Sequence, residues 1–203
     1  MVQNQSNAIE KYISDSLTES LKTPNIHKTN ETLKIQMVGI IGAGTMGGGI
    51  AMNFANVGIR VKIVEVDKIK LKEGLNRIRE NYQRSADKGR FPQSEVENRM
   101  GLIEGSTALE ELAICDLIIE AVFENIEIKK EIFSKLQRIA KPSSILATNT
   151  SGLDIDSIAN MTDRPEDIVG LHFFSPANVM KLLEIVQAKQ TSSRVIKICM
   201  ELA

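Results

Sequence analysis

Aromatic residues are scarce: the 203-residue chain has no tryptophan, two tyrosines and six phenylalanines. That leaves little surface on which nucleic-acid bases could stack. There is no charge excess either, with 25 Lys+Arg against 26 Asp+Glu and a net charge of -1. With both signs interspersed, no field draws in nucleic acid or an anionic membrane face. The two cysteines, Cys115 and Cys199, lack CxxC spacing and nearby ligand residues, which argues against a disulfide scaffold and a metal site and suits a reducing compartment. Histidine is equally rare, so imidazole chemistry can fall only on His27 or His172. Residues 1–8 show no basic n-region or apolar h-region, residues 1–36 are not Arg-rich, and the ending Glu201-Leu202-Ala203 is no peroxisomal address. No targeting signal is readable.

What is present is an ordinary globular composition, 42% hydrophobic and 25% charged, at a length that supports one large domain with a sizeable core. Residues 37–59 run without a charge, long enough to cross a bilayer. They contain seven glycines and two asparagines, a composition that disfavours a lipid-facing helix, so no membrane span is expected.

Residues 1–35 read as a polar extension. Its apolar positions, Ile9, Tyr12, Ile13, Leu17 and Leu21, recur at spacings of three and four and predict one amphipathic helix, a tether or docking element. Asn7 and Glu10 form a capping-box pair at its start, and Thr23-Pro24 ends it. From residue 36 to 203, short apolar runs alternate with longer amphipathic ones, the signature of an α/β fold with a doubly wound, mostly parallel sheet. Strands are expected near 36–41, 60–65, 101–104, 115–120, 144–148, 167–173 and 182–186. Helices are expected near 45–57, 68–88, 107–112, 127–140, 154–160 and from Ser193.

The first of these strands flows into Gly42-Ala43-Gly44-Thr45-Met46-Gly47, a GxGxxG between strand and helix. Gly42 permits the tight turn, Gly44 admits a pyrophosphate to the backbone, Gly47 allows close packing, and the helix N-terminus supplies unpaired N–H groups. The next strand ends in Glu65, where a ribose-binding acid belongs. A carboxylate there repels a 2′-phosphate, so the expected cofactor is NAD. Taken alone, Glu65 is also compatible with a solvated strand end.

His172 follows the apolar run Ile168-Val169-Gly170-Leu171, and Glu184 sits in Leu182-Leu183-Glu184-Ile185-Val186, a costly place for a carboxylate unless paired. A strand, a turn around Pro176-Ala177-Asn178 and a second strand would bring the two together, the carboxylate fixing the imidazole tautomer. A satisfied core histidine is the plainer reading of His172. Thr148-Asn149-Thr150-Ser151 should open on the same sheet edge, and Ser151 either holds a substrate hydroxyl or caps the helix that follows.

Together with Glu120-Ala121-Val122-Phe123-Glu124 and the run from His172-Phe173-Phe174-Ser175-Pro176-Ala177 to Glu184, these residues resemble the NAD-binding domain of L-3-hydroxyacyl-coenzyme A dehydrogenases. The HFFSPA form is more similar to the dehydrogenase part of multifunctional fatty-acid β-oxidation proteins. The resemblance covers residue 36 to the end and implies a Rossmann-type fold that oxidises a 3-hydroxyacyl-CoA with NAD. It implies that His172 is the base, Glu184 its orienting partner, and Ser151 the ligand of the reacting oxygen at the nicotinamide. Gly42, Gly44, Thr45, Met46, Gly47 and Glu65 would hold NAD, with Ala121, Glu124, Lys129 and Ser175. Ser175 stands where single-function members have asparagine. Asn81 and Lys88 would bind coenzyme A, although Lys88 otherwise reads as a solvated helix-end lysine.

The family's helical C-terminal domain is not in these residues, which end in the helix expected before the closing strand. The resemblance therefore implies that the second wall of the cleft comes from a longer protein or a second chain, with a homodimer as one arrangement. The setting expected is the cytoplasm or an organelle matrix, peroxisomal or mitochondrial. The competing reading is an isolated domain that binds NAD and coenzyme A without turnover.

Overall fold

The computed structural model describes Lys11, Ser14, Asp15, Thr18 and residues 34–203. The four early positions are helical; the rest of the predicted N-terminal helix, its cap pair and His27 lie outside the described residues.

Seven strands form one sheet: β1 (Met37–Ile41), β2 (Arg60–Val64), β3 (Ile103–Ser106), β4 (Leu117–Glu120), β5 (Ile145–Thr148), β6 (Ile168–Phe173) and β7 (Leu183–Gln187). Their order is β3-β2-β1-β4-β5-β6-β7. All neighbours pair in parallel except β6 with β7. The helices are α1 (Thr45–Asn56), α2 (Lys68–Asp87), α3 (Ser94–Met100), α4 (Ile126–Ile139), α5 (Ile155–Ala159) and α6 (Ser193–Leu202). This is the doubly wound Rossmann-type arrangement, in which the chain crosses from β3 back to β4 on the other side of β1 and so opens a crevice between β1 and β4 at the carboxyl ends of the strands.

Both sheet faces are covered, and successive strand residues divide between two cores. Ile40, Ile63, Ile119 and Ala147 join Ile50, Ile78 and Val195 on one side. Ile41, Val64, Ile118 and Leu146 join Phe133, Leu136 and Ile158 on the other. Helix starts follow side-chain caps. Asp67 Oδ1 accepts the N–H groups of Ile69 and Lys70 at 2.8 and 3.1 Å to open α2. Asn125 does the same for α4.

Two elements depart from expectation. Residues 94–100 form α3, which no pattern announced, because its only buried residue is Val96 and a single anchor leaves no periodicity. The helix expected near 107–112 is a 3-10 turn, Leu109–Ile114, with Leu112 as its one buried side chain.

Candidate active site at the carboxyl edge of the sheet

Antiparallel pairing of β6 and β7 sets His172 directly opposite Glu184, and His172 Nδ1 lies 2.7 Å from Glu184 Oε2. A carboxylate only accepts, so the proton belongs on Nδ1 and the Nε2 lone pair is left for chemistry. The expected pairing is present, but the expected burial of Glu184 is not. Its side chain is 52% exposed against 17% for His172. The cause is that β7 is an edge strand with solvent on its outer face, so the apolar flanks of Glu184 do not enclose it. Phe174 leans on the imidazole with ring centroids 4.5 Å apart. Asn149 Oδ1 accepts the Phe173 N–H at 2.8 Å, tying the ends of β5 and β6 together beside the histidine.

Ser151 does not cap the following helix. Asp154 caps α5, and the turn before it is held by Thr150 Oγ1, which accepts the N–H groups of Leu153 and Gly152 at 2.9 and 3.3 Å. The Ser151 hydroxyl has no protein partner among the described residues, and its backbone N–H donates to Glu124 Oε1 at 3.2 Å. Ser151, His172, Glu124, Ala121, Met46 and Ser175 line one cavity of about 280 Å³. The structure thus gathers these six residues from four strand ends.

The glycine turn has the shape a dinucleotide needs. Gly42 has φ +104°, and a Cβ there would sit 2.8 Å from the Ala121 carbonyl oxygen; at Gly47 a Cβ would fall 1.9 Å from the Gly42 oxygen. Around Gly44, by contrast, the space is open. Gly44 begins α1 with no side-chain cap and no acidic residue in the first turn, so the helix N-terminus is available to an anion. Glu65 Oε2 accepts the Ala43 N–H and Oε1 the Asp67 N–H, both at 3.3 Å. These long bonds hold the carboxylate at the turn and leave lone pairs for two ribose hydroxyls. The residues fit NAD.

Lys129 is placed differently from the direct contact the resemblance implies. It is buried, and its Nζ donates to both oxygens of the buried Glu120 at 2.7 and 2.8 Å and reaches Glu124 Oε2 at 3.3 Å. Glu124 feels opposing effects. Burial resists its ionisation, but the Thr150 hydroxyl, Lys129 and the Ser151 N–H outweigh that and hold its carboxyl below the ordinary value.

Asn81 lines a second cavity of about 310 Å³ beside Gly44 and Thr45, together with Arg77, Arg84 and Asn178. Arg77 also donates to the Ala43 carbonyl at 3.2 Å. Lys88 is exposed at the C-terminus of α2. Sequence reasoning missed Arg77 and Arg84, since charges on an exposed helix face carry no signal. It also missed Glu120 as a buried group, though a carboxylate ending the apolar run of β4 was a clue. Cys199, in an apolar hollow beyond Phe173, has its thiol pushed up to about 12 by burial and is no nucleophile. Among the described residues no cluster of three or more His, Cys, Asp or Glu could hold a metal, and no helix is long and apolar enough to cross a membrane.

Residues 37–203 match the family described as 3-hydroxyacyl-CoA dehydrogenase, NAD binding domain. The chain belongs to this family. Among relatives of this NAD-binding domain is the peroxisomal bifunctional enzyme of Cavia porcellus, 43% identical over 87% of this chain and 24% of its own length. A probable 3-hydroxybutyryl-CoA dehydrogenase of Bacillus subtilis is 39% identical over 84% of this chain and 60% of its own. The 3-hydroxybutyryl-CoA dehydrogenase structure from Escherichia coli superposes with a TM-score of 0.82 at 36% identity, over 84% of this chain and 36% of that one. The dehydrogenase part of a multifunctional enzyme from C. elegans gives 0.78 at 33%, over 89% and 42%. The chain thus spans about a quarter of the length of the bifunctional relatives it matches.

Proposed function

We propose that residues 36–203 are the cofactor and base half of an NAD-dependent L-3-hydroxyacyl-CoA dehydrogenase, preceded by an extension over residues 1–35. The observation that carries this reading is the 2.7 Å contact of Glu184 with His172, which lines the same cavity as Ser151 and Met46 of the glycine-turn helix. NAD, when bound, supplies the acceptor for the hydride leaving C3 of the substrate. The protein's own residues do the rest. His172 Nε2 takes the proton of the 3-hydroxyl, and Glu184 holds the ring in the tautomer that allows this and stabilises its cationic form. The unpartnered Ser151 hydroxyl holds the reacting oxygen.

Glu65 accepts the adenosine ribose hydroxyls, and Gly42, Gly44, Thr45, Met46 and Gly47 form the pyrophosphate cradle. Ala121, Glu124 and Ser175 border the nicotinamide half, with Lys129 acting through Glu124. Asn81, with Arg77 and Arg84 beside it, and Lys88 farther along α2 receive the coenzyme A phosphates.

A second wall completes the cleft. Val57, Val179, Met180 and Leu182 are exposed around an apolar hollow of about 490 Å³, and a helical domain, from the same polypeptide or a second chain, covers them; a homodimer is one such arrangement. The same observation favours a second reading, in which this domain alone binds NAD and coenzyme A without turnover, because a hydride transfer open to water loses its preorganisation. Peroxisomal and glyoxysomal relatives support an organelle matrix as the setting, with the cytoplasm as the other.

The deciding experiment is NADH oxidation by the purified chain with acetoacetyl-CoA, beside an NADH titration and the His172→Ala control. Turnover lost in the variant supports the dehydrogenase. NADH binding without turnover supports the half-site reading, and absence of both counts against the proposal.

A further inference from the structure

Beneath the site lies a closed circuit of hydrogen bonds with Glu120 at its centre. Glu120, Lys129 and Thr148 are fully buried and Thr150 is nearly so. The Glu120 carboxylate accepts from Lys129 Nζ on both oxygens at 2.7 and 2.8 Å, from Thr148 Oγ1 at 2.7 Å and from the Val122 N–H at 2.8 Å. Thr148 Oγ1 in turn accepts the Thr150 N–H at 3.3 Å. The Thr150 hydroxyl donates to Glu124 Oε1, and Glu124 Oε2 receives Lys129 at 3.3 Å, which returns the circuit to Glu120. The Ser151 N–H hangs from the same Glu124 oxygen.

We infer that Glu120 is a positioning residue for the dehydrogenase reaction: it anchors Lys129 and Thr148 so that Glu124 and Ser151 are held at the cofactor edge. Glu120 is fully buried and does not itself line the cavity that holds Ser151 and His172, so it acts through its partners. Two carboxylates share one ammonium, and the bidentate grip of Glu120 leaves Lys129 one long contact for Glu124. Without the Glu120 charge, Lys129 is free to close on Glu124, which draws that carboxylate away from Thr150 and the Ser151 N–H. The loop bearing the reacting-oxygen ligand then loses its tether while β5 keeps its ladder. The consequence for cofactor binding rests on the roles of Glu124 and Ser151 proposed above; the coupling within the circuit does not.

Two variants test it in the unliganded chain and with NADH. Glu120→Gln keeps the volume and removes the charge facing Lys129. Thr148→Val opens the circuit without leaving a charge unpaired, so it reports even where Glu120→Gln fails to fold. Amide hydrogen exchange in the unliganded chain should quicken about tenfold at Ser151, the loss of roughly one charge-assisted hydrogen bond, with Leu146 in β5 unchanged. NADH affinity should fall on the order of tenfold in Glu120→Gln and less in Thr148→Val, and the loss in Glu120→Gln combined with Glu124→Gln should be smaller than the sum of the two single losses. Exchange unchanged at Ser151, or quickened equally throughout β5, overturns the positioning role. So does a fall in affinity that adds fully with that of Glu124→Gln. An unaltered chain that does not bind NADH defeats the proposed function instead, and the exchange result still decides the circuit.

Discussion

The two edges of the sheet are both tied by buried charges, yet they end differently. At the amino edge Asp116 accepts the N–H groups of Gln36 and Met37 at 2.7 and 3.0 Å and the Lys141 ammonium at 2.5 Å. Nearby, Arg164 donates to the carbonyls of Lys141, Pro142 and Ser144 and pairs with Asp167, which also holds Arg194. Backbone groups and counter-charges absorb nearly every donor there. At the carboxyl edge the Glu120 circuit is just as closed, but it stops one atom short of the surface. Beyond it stand the Ser151 hydroxyl, the His172 Nε2 and the first N–H groups of α1, with no side chain among the described residues bonded to them. One edge spends its polar groups on holding strands together, and the other keeps some back. That remainder is what a ligand can use.

Substitutions at the two edges should therefore separate activity from stability. The largest effect is expected for His172→Ala in a form that turns over: rate should fall by about two to four orders of magnitude with NADH affinity nearly unchanged. Steady-state kinetics beside an NADH titration checks this, and a parallel loss of affinity would make the histidine structural and blur the contrast. Next, Arg164→Met takes a charged donor from three carbonyls and leaves Asp167 with Arg194 alone, and should cost about 3 kcal/mol of stability by denaturant unfolding while NADH affinity at low temperature stays the same. A weakened cofactor site in the folded variant would show that the edges are coupled.

A smaller change is expected from Glu65→Gln, roughly tenfold weaker NADH binding with the melting temperature preserved. The smallest is a pH effect at the amino edge. Burial resists ionisation of Asp116, but Lys141 and the Gln36 and Met37 N–H groups outweigh it and lower its pKa below the ordinary 3.8. A depressed carboxylate contributes stability that is present above 3.8 and is lost as pH falls through the lower folded value. The melting temperature should drop over that acid window, and less steeply in Asp116→Asn.

Much of the carboxyl edge was legible beforehand because its signals are local. GxGxxG, an acid at the end of the next strand, and a histidine after an apolar run each sit within one strand and its turn, and the pairing of His172 with Glu184 needs only a hairpin. What escaped depends on distant partners or on faces that periodicity does not report. Whether Glu184 is enclosed depends on β7 being an edge, which no residue of β7 declares. Lys129, expected at NAD through the resemblance, gives no sign of its burial until Glu120, in another element, is placed against it. The Asp116 and Arg164 knots span separations of 20 or more residues and bond to backbone groups, which every residue carries alike. Arg77 and Arg84 become notable only once α2 is laid beside Gly44.

The direct opposition of His172 and Glu184 across β6 and β7 has a consequence for how this domain can vary. The pair is written into a strand register, so it is discrete and not adjustable by degrees. Sliding β7 by one residue would set Leu183 or Ile185 against the histidine and turn the carboxylate to the far face. The hairpin connection beyond Phe174 and Ser175, which touch the histidine and its cavity, can lengthen as a loop without shifting that register. A single insertion or deletion inside either strand removes it at a stroke, so changes of length should be tolerated between the strands and nearly absent within them.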